Sequence, residues 1–445
     1  MKNFIYILPL CIILSFTINS CTEDEVKIDR STSSYSDQVA TKWFELQRGL
    51  IRTCPGFSPP VASRALGYSG VCLYQSVNPG MLNYHSLEGQ LNGLNTLATK
   101  VEAGKDYEWQ ISANASLAEI TRLLYANAPD SMKQLIEQLE RTNLGIYEVG
   151  ESQDVIDRSV AFGKAIANEI FQWSKTDGGH EGYLHNFPSN YNVPVGPGLW
   201  VPTSSQKIPL QPYWGDNRSF VTNDVSASQP ILNIKFSTDK SSTFFKQAEE
   251  VYNTVKNASD EQKLIARYWS DDAGLLGGTP PGHSISILSQ ILQKERVNLS
   301  VAAEMYAKAG MALADAFISC WKCKYTFNLL RPVSYIHQNI DPNWQPLLAT
   351  PPFPEFTSGH SSQSGAFSAI MSNKFGNTYA FIDRTHVSRT DINGTARSFS
   401  SFDQMALEAA NSRLYGGIHF REANETGVSQ GKLVGEAVIR LQWSK

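Results

Sequence analysis

The stretch from Ser300 to Phe327 constrains the fold of this chain more than any other. It is the longest run of helical periodicity in the sequence, and it is dense in alanine at Ala302, Ala303, Ala307, Ala309, Ala312, Ala314 and Ala316. Small side chains let a second helix approach closely, so a helix of this kind belongs at the centre of a bundle. Trp321 and Lys324 are three residues apart near its C-terminal end and therefore share a face.

Helical patterns dominate the rest of the chain. Ser36 or Asp37 caps a run from Gln38 to Arg52, with Val39, Trp43, Leu46 and Leu50 at helical spacing. Pro59-Pro60 precedes a helix from Ala62 to Ser76, and further helices are predicted over Ala113 to Ala126, Ser131 to Thr142 and Ser152 to Ser174. Ser259 and Gln262 form a capping box for a helix reaching Asp272, and Ser401 and Gln404 form another for a helix through Leu414, stopped by Gly416-Gly417. Helices over Ser361 to Phe375 and Glu425 to Gln442 complete the set. Few runs alternate as strands do, so the predicted fold is all-α, built of helical bundles with a four-helix-bundle core.

Between Lys175 and Pro212 the composition turns to Gly, Pro, Asn and aromatics, the mark of a long ordered loop that serves or covers a site. His180 and His185 in this loop read as surface or structural residues. Glu181 lies four before His185, but the surrounding glycines argue against a helix that would make that spacing meaningful.

The N-terminus reads as an export signal. Lys2 is followed by an apolar stretch from Phe4 to Phe16, then Ile18-Asn19-Ser20-Cys21 and the acidic Thr22-Glu23-Asp24-Glu25. The apolar stretch is too short for a membrane span, and the tetrapeptide resembles a bacterial lipobox whose cysteine is acylated. The expected organisation is therefore a signal at 1–20, a polar tether at 21–37 and a single helical domain at 38–445. The expected location is that of a lipoprotein anchored at Cys21, in the bacterial outer membrane, the periplasm or the cell surface. In an oxidising compartment Cys54, Cys72, Cys320 and Cys323 are candidates for pairing. Cys320 and Cys323 have CxxC spacing, but His337 downstream lacks a second ligand at zinc spacing, and the pair ends a helix instead of following a strand. Buried thiols or a structural disulfide are the expected outcome.

The formal charge of −4 argues against a general nucleic-acid binder, so positive charge must be concentrated in a site. Lys324, Arg331-Pro332 and the run Pro351-Pro352-Phe353-Pro354-Glu355-Phe356-Thr357-Ser358-Gly359-His360 supply such a site. Two fixed cations, a hydroxyl, a glycine amide at a helix start and an imidazole are what a tetrahedral oxyanion requires. Arg413 and His419 add a third cation and a second imidazole.

These three blocks, Lys324-x6-Arg331-Pro332, Ser358-Gly359-His360 and Ser412-Arg413-x5-His419, resemble in order and spacing the signature shared by vanadium-dependent haloperoxidases and the type 2 phosphatidic acid phosphatase superfamily. The resemblance covers roughly residues 260 to 430, within a catalytic half at about 259–445, and is greatest for the bacterial iodoperoxidases. It implies vanadate (vanadium V) as cofactor, bound by Lys324, Arg331, Ser358, Gly359, Arg413 and His419. His419 is then the axial vanadium ligand, His360 the acid/base, and Lys324 the cation that polarises hydrogen peroxide for attack by a halide. Trp269, Trp321 and Phe353 are implied to line the halide pocket, and Asp272 to be a carboxylate supporting the catalytic groups. Three departures stand out: Thr357 replaces the family's usual proline, Ala423 replaces an acid four residues after the last histidine with Glu422 adjacent, and Lys322 adds a charge beside Trp321.

The expected activity is oxidation of halide, iodide being the easiest, to hypohalous acid. Two alternatives stay open on the same residues: a soluble exported acid phosphatase using His419 as nucleophile, and a non-catalytic helical lipoprotein that binds nutrients.

Overall fold

In the computed structural model, which describes Met1 and residues 31–221, 228–271 and 277–445, the alanine-rich stretch is helix α9 (Leu299–Phe327). Asn298 caps it, its side chain accepting from Val301 N–H, and Asn328 ends it in the left-handed conformation at φ 46°. Asparagine tolerates that conformation where bulkier residues do not. The other α-helices among the described residues are α1 (Gln38–Thr53), α2 (Pro59–Val77), α3 (Trp109–Leu124), α4 (Asp130–Tyr147), α5 (Gln153–Ser174), α6 (Thr243–Lys256), α7 (Asp260–Tyr268), α8 (Pro280–Glu295), α10 (Pro332–Asn339), α11 (Gly359–Phe375), α12 (Phe402–Tyr415) and α13 (Arg421–Ile439). The one described sheet is a short antiparallel pair, β1 (Phe381–Asp383) with β2 (Arg397–Phe399), in which Phe381 faces Phe399.

The all-α expectation holds, and α9 is the shared spine of two bundles. On one side it packs along α2, which is buried over nearly its whole length and is surrounded by α1, α3, α5 and α8. Helices can approach this closely only with glycine at the crossing. A Cβ on Gly70 would sit 2.5 Å from the Tyr306 carbonyl, and one on Gly310 would sit 2.6 Å from that of Leu66. On the other side α9 meets α11 and α13, which pack together extensively, while α12 packs against α11 and α7. A second apolar cluster, with Phe244, Phe245, Tyr335, Trp344, Phe356 and Phe420, fills the space between α6, α10 and the start of α13.

Helix-forming patterns survive in the structure with shifted ends. The Ser259–Gln262 capping box forms in full, but α7 stops at Tyr268, before the expected Asp272. At α12, Ser401 accepts from Gln404 N–H, whereas the Gln404 side chain accepts from Ser400 instead of Ser401, so the second box is only half made. α13 begins at Arg421, one turn earlier than expected, because the amide of its N-cap residue Phe420 is itself held by Glu355. α6, α8 and α10 were not anticipated. The four cysteines Cys54, Cys72, Cys320 and Cys323 are free and buried, which decides between the two expectations in favour of thiols. Residues 2–30, with the signal, Cys21 and most of the tether, lie outside the described residues, as does Asp272. Among the described residues no helix is long and apolar enough to cross a membrane.

Candidate active site

The C-terminal end of α9 presents Trp321 and Lys324 inward, as their spacing predicts. Lys324 is fully buried, and its Nζ donates to the carbonyls of Pro354 (3.0 Å), Glu355 (2.9 Å) and Thr357. The cation therefore spends its three N–H groups on gathering the 354–357 segment around it, and acts on the site through its charge. After the left-handed Asn328 the chain turns, and Arg331 becomes the N-cap residue of α10, followed by Pro332 in the position where proline starts a helix. Its guanidinium donates from Nε to Phe353 O (2.8 Å) and from Nη1 to Ile418 O (2.7 Å) and His419 Nε2 (3.1 Å).

The long loop after α5 braces this arrangement from outside. The Leu210 carbonyl accepts from Trp321 Nε1 (3.2 Å) and Tyr325 OH (2.5 Å), while Leu210 N–H donates to Pro352 O (2.8 Å). A bridge between Leu199 and Leu329 ties the same loop to the turn before Arg331. His185 is exposed, and His180 packs edge-on against Phe171, so neither enters the site.

Ser358 is the N-cap of α11, its Oγ accepting from Ser361 N–H (3.4 Å), which places Gly359 and His360 in the first turn of that helix. Helix N-termini favour anions there. Thr357, the departure from proline, has its hydroxyl satisfied by Gln430 Oε1 of α13 (2.6 Å). From the end of α12, Arg413 donates from Nη1 to His360 Nε2 (3.1 Å) and from Nη2 to Ala266 O (3.2 Å). Gly359, His360, Arg413 and His419 form the floor of a cavity of about 570 Å³, whose walls include Phe57, Phe187, Leu210, Phe317, Trp321 and Phe353. The Trp321 and Phe353 rings are 5.1 Å apart, and the Lys324 Nζ and the Arg331 Cζ lie 5.1 and 4.9 Å from the Phe353 ring centre.

The residue that sequence reasoning missed is Glu355. Its Oε1 accepts from His419 Nδ1 (2.8 Å) and from Phe420 N–H (2.9 Å), although 64 positions separate it from the histidine. It fills the role that Ala423 cannot. Glu422, the adjacent acid, instead faces Asn233 and Gln247. The only local signal was an acid inside the apolar run Pro354-Glu355-Phe356. With Nδ1–H committed to Glu355 and Arg331 donating to Nε2, His419 is the Nδ1–H tautomer with its Nε2 lone pair turned to the cations.

Electrostatics follow from burial. Desolvation, then the charges of Arg331, Lys324 and Arg413, hold His419 well below its ordinary pKa. Burial and Arg413 do the same to His360, so both imidazoles are neutral at neutral pH. Burial lowers Lys324 to about 8 and Arg331 to about 10, and pushes Glu355 up to about 7. Three cations thus face one weak acid, and the buried Arg331 Nη2 has no hydrogen-bond partner. This donor set, with a neutral imidazole nitrogen beside it, fits a small oxyanion bound through His419.

One sequence expectation is corrected, and the direction of Lys322, which the sequence left open, is decided. The Trp269 ring does not line the cavity: it stacks on His283 at 4.7 Å and its Nε1 donates to Glu408 Oε1 (3.1 Å). Lys322 points outward and pairs with Asp216 Oδ1 at 2.6 Å. Both follow from helix geometry at the ends of α7 and α9, where one residue more rotates a side chain by about 100°. Beside Asp272, which lies outside the described residues, Asp271 is fully buried against His283.

Comparison with known proteins agrees with this geometry. A family profile described as the VCPO second helical-bundle domain matches residues 304–444. Vanadium chloroperoxidase of Curvularia inaequalis is 26% identical over 266 residues, 48% of this chain and 43% of that protein, so the match spans less than half of the relative's length. A bacterial vanadium-dependent chloroperoxidase in its holo form, 16% identical with a TM-score of 0.66 over 87% of this chain and 92% of its own, shares the fold. A bacterial vanadium-dependent iodoperoxidase is 34% identical, with a TM-score of 0.82 over 92% of this chain and 97% of its own. Identity at that level over nearly a whole structure, on a bundle whose shared spine delivers the cations, shows that the chain belongs to the vanadium-dependent haloperoxidase family.

Proposed function

We propose that this protein is a vanadate-dependent haloperoxidase that uses hydrogen peroxide to oxidise iodide to hypoiodous acid. The observation that carries the reading is the cavity floor, where His419 Nε2 stands among Arg331, Arg413 and Lys324 with Glu355 behind it. Bound vanadate supplies a Lewis-acidic centre in its highest oxidation state, which activates peroxide toward a halide. The protein's part is to hold and orient. Glu355 fixes the His419 tautomer so that Nε2 is the donor atom, and the buried guanidinium of Arg331 offers Nη2 to an oxyanion. Arg413, beside them in the floor, donates to His360 Nε2 and fixes its ring. His360, neutral and partly open to the cavity, accepts and returns a proton. Trp321 and Phe353 form a dry wall, in which the positive ring edges and the cations behind them suit a large, weakly hydrated anion such as iodide. The likeness to a bacterial iodoperoxidase supports the choice of halide.

The Ile18-Asn19-Ser20-Cys21 tetrapeptide supports export and a lipid anchor at Cys21, which would deliver the product outside the cytoplasm. Reconstitution with orthovanadate, followed by assays with iodide, bromide and chloride, tests the proposal, and vanadate-dependent iodide oxidation is expected. Hydrolysis of an aryl phosphate with no vanadate-dependent peroxidase activity would overturn it in favour of a phosphatase.

A further inference from the structure

Next to the catalytic floor, but outside the cavity lining, lies a second buried polar cluster. Asp271 follows the end of α7, His283 is in the first turn of α8, and His386 is in the loop after β1, and all three are almost completely buried. His283 Nε2 contacts Asp383 Oδ2 at 2.7 Å, and its Nδ1 contacts Asp271 Oδ2 at 2.7 Å. Asp383 is fully engaged from its other sides, since Tyr268 OH donates to Oδ2 (2.8 Å) and Thr385 N–H to Oδ1 (2.9 Å). With Nε2–H given to Asp383, the Nδ1 lone pair of a neutral His283 would face a carboxylate oxygen. A positive charge must lie between them.

A proton would serve for that contact alone. It would leave His386, at 0% exposure, with neither ring nitrogen hydrogen-bonded, and Asp271 Oδ1 unpartnered as well. The two groups point at one another: His386 Nε2 is 3.0 Å from Asp271 Oδ1, off the line a hydrogen bond needs. One donor atom from each of Asp271, His283 and His386 lies within 4.8 Å of the others. We propose that Asp271, His283 and His386 bind a divalent first-row metal ion, with zinc the ion that best suits two imidazoles and one carboxylate. The ion gives a partner to Asp271 Oδ1 and to one ring nitrogen of His386 at once, and Asp383 becomes the carboxylate that orients a metal-bound histidine through its second nitrogen. Binding releases the proton from His283 Nδ1.

The surroundings accommodate a cation. Arg389, whose Nη1 is 4.0 Å from Asp271 Oδ1, is neutralised by a two-point pair with Asp391 at 2.6 and 3.0 Å. Glycine at 277 lets the backbone pass close to both groups, since a Cβ there would be 2.4 Å from Arg389 Nη1 and 2.9 Å from Asp271 Oδ1. The ion would pin the end of α7, α8 and the loop after β1 to one another.

The test is multi-element mass spectrometry on vanadate-free, full-length protein, before and after dialysis against zinc and passage over a chelating resin. About one zinc, or another divalent first-row ion, is expected per chain. His386→Ala should abolish retention, and Asp383→Asn should weaken zinc binding roughly 10- to 100-fold in competition with a chelating dye. Should the variants not fold, the wild-type chain decides: zinc added to metal-stripped protein is expected to raise its Tm. No retained metal and no change in Tm would overturn the proposal and leave His283 as a protonated bridge. Because vanadate and halide are absent from these measurements, the outcome is independent of the peroxidase reading.

Discussion

Replacing Glu355 by glutamine separates what this residue does for stability from what it does for the cofactor site. In the wild-type protein burial pushes the carboxyl up to about 7 from its ordinary 4.5. For an acid whose folded pKa is raised, the folded state binds the proton more tightly. Stability is therefore greatest below about pH 4.5 and declines as pH rises through 7, where the buried carboxylate ionises. At roughly 1.4 kcal/mol per pH unit the full decline is about 3 kcal/mol. Glutamine keeps an oxygen for His419 Nδ1–H and Phe420 N–H but cannot ionise, so this part of the pH dependence should vanish. Lys324, lowered to about 8 and partly held up by the Glu355 charge, titrates above pH 7, so the difference between the two unfolding curves from pH 4.5 to 7 reads Glu355. Vanadate affinity should move the other way. A neutral amide is a weaker acceptor for the ligand histidine, and loss of such a partner costs roughly 10- to 100-fold in metal affinity. Urea unfolding from pH 4.5 to 8.5 without vanadate, and vanadate titration of peroxidase activity at pH 8, measure the two effects. A Glu355→Gln protein whose stability difference from wild type is flat across this range, or that binds vanadate as tightly, would refute the reasoning.

Other expectations follow from the same geometry. His360→Ala should lower kcat by roughly 10²- to 10⁴-fold while near-UV circular dichroism stays unchanged, as removal of a proton-transfer group requires. Gly70→Ala would press a Cβ to 2.5 Å from the Tyr306 carbonyl and force α2 from α9, with an expected loss of about 1–3 kcal/mol by urea unfolding. Tyr325→Phe removes one of two donors to the Leu210 carbonyl and should cost about 0.5–1.5 kcal/mol in the same assay, with Trp321 still holding the loop.

Much of the helical framework was legible because helix formation is local. Caps such as Ser259 and Ser401, and apolar spacing such as that in α1, act within a turn or two of the backbone they organise. The helices not anticipated show where that reading thins. α8 opens with Pro280-Pro281 behind the Thr279 cap and is buried nearly all round with small polar residues among its apolar ones, and α10 is a two-turn helix, so neither shows a clear amphipathic pattern. α6 is amphipathic and capped by Ser242, so there the sequence does carry a local helix signal.

The anion site divides in the same way. Lys324, Arg331, Ser358, Gly359, His360, Arg413 and His419 could be chosen from the sequence because short spacings at helix ends place each one, and all seven converge in the structure. Which groups they pair with was decided only by tertiary packing. Glu355 reaches His419 because the 354–357 segment is gathered around Lys324 and laid against the start of α13. Trp269 turns toward His283 and away from the cavity because α7 ends one residue before it. His283 and His386 meet at Asp271 through elements more than a hundred residues apart. Side chains on a helix face are set by a periodicity that the sequence displays, but contacts across such separations depend on the angles at which helices cross, and no local spacing encodes those.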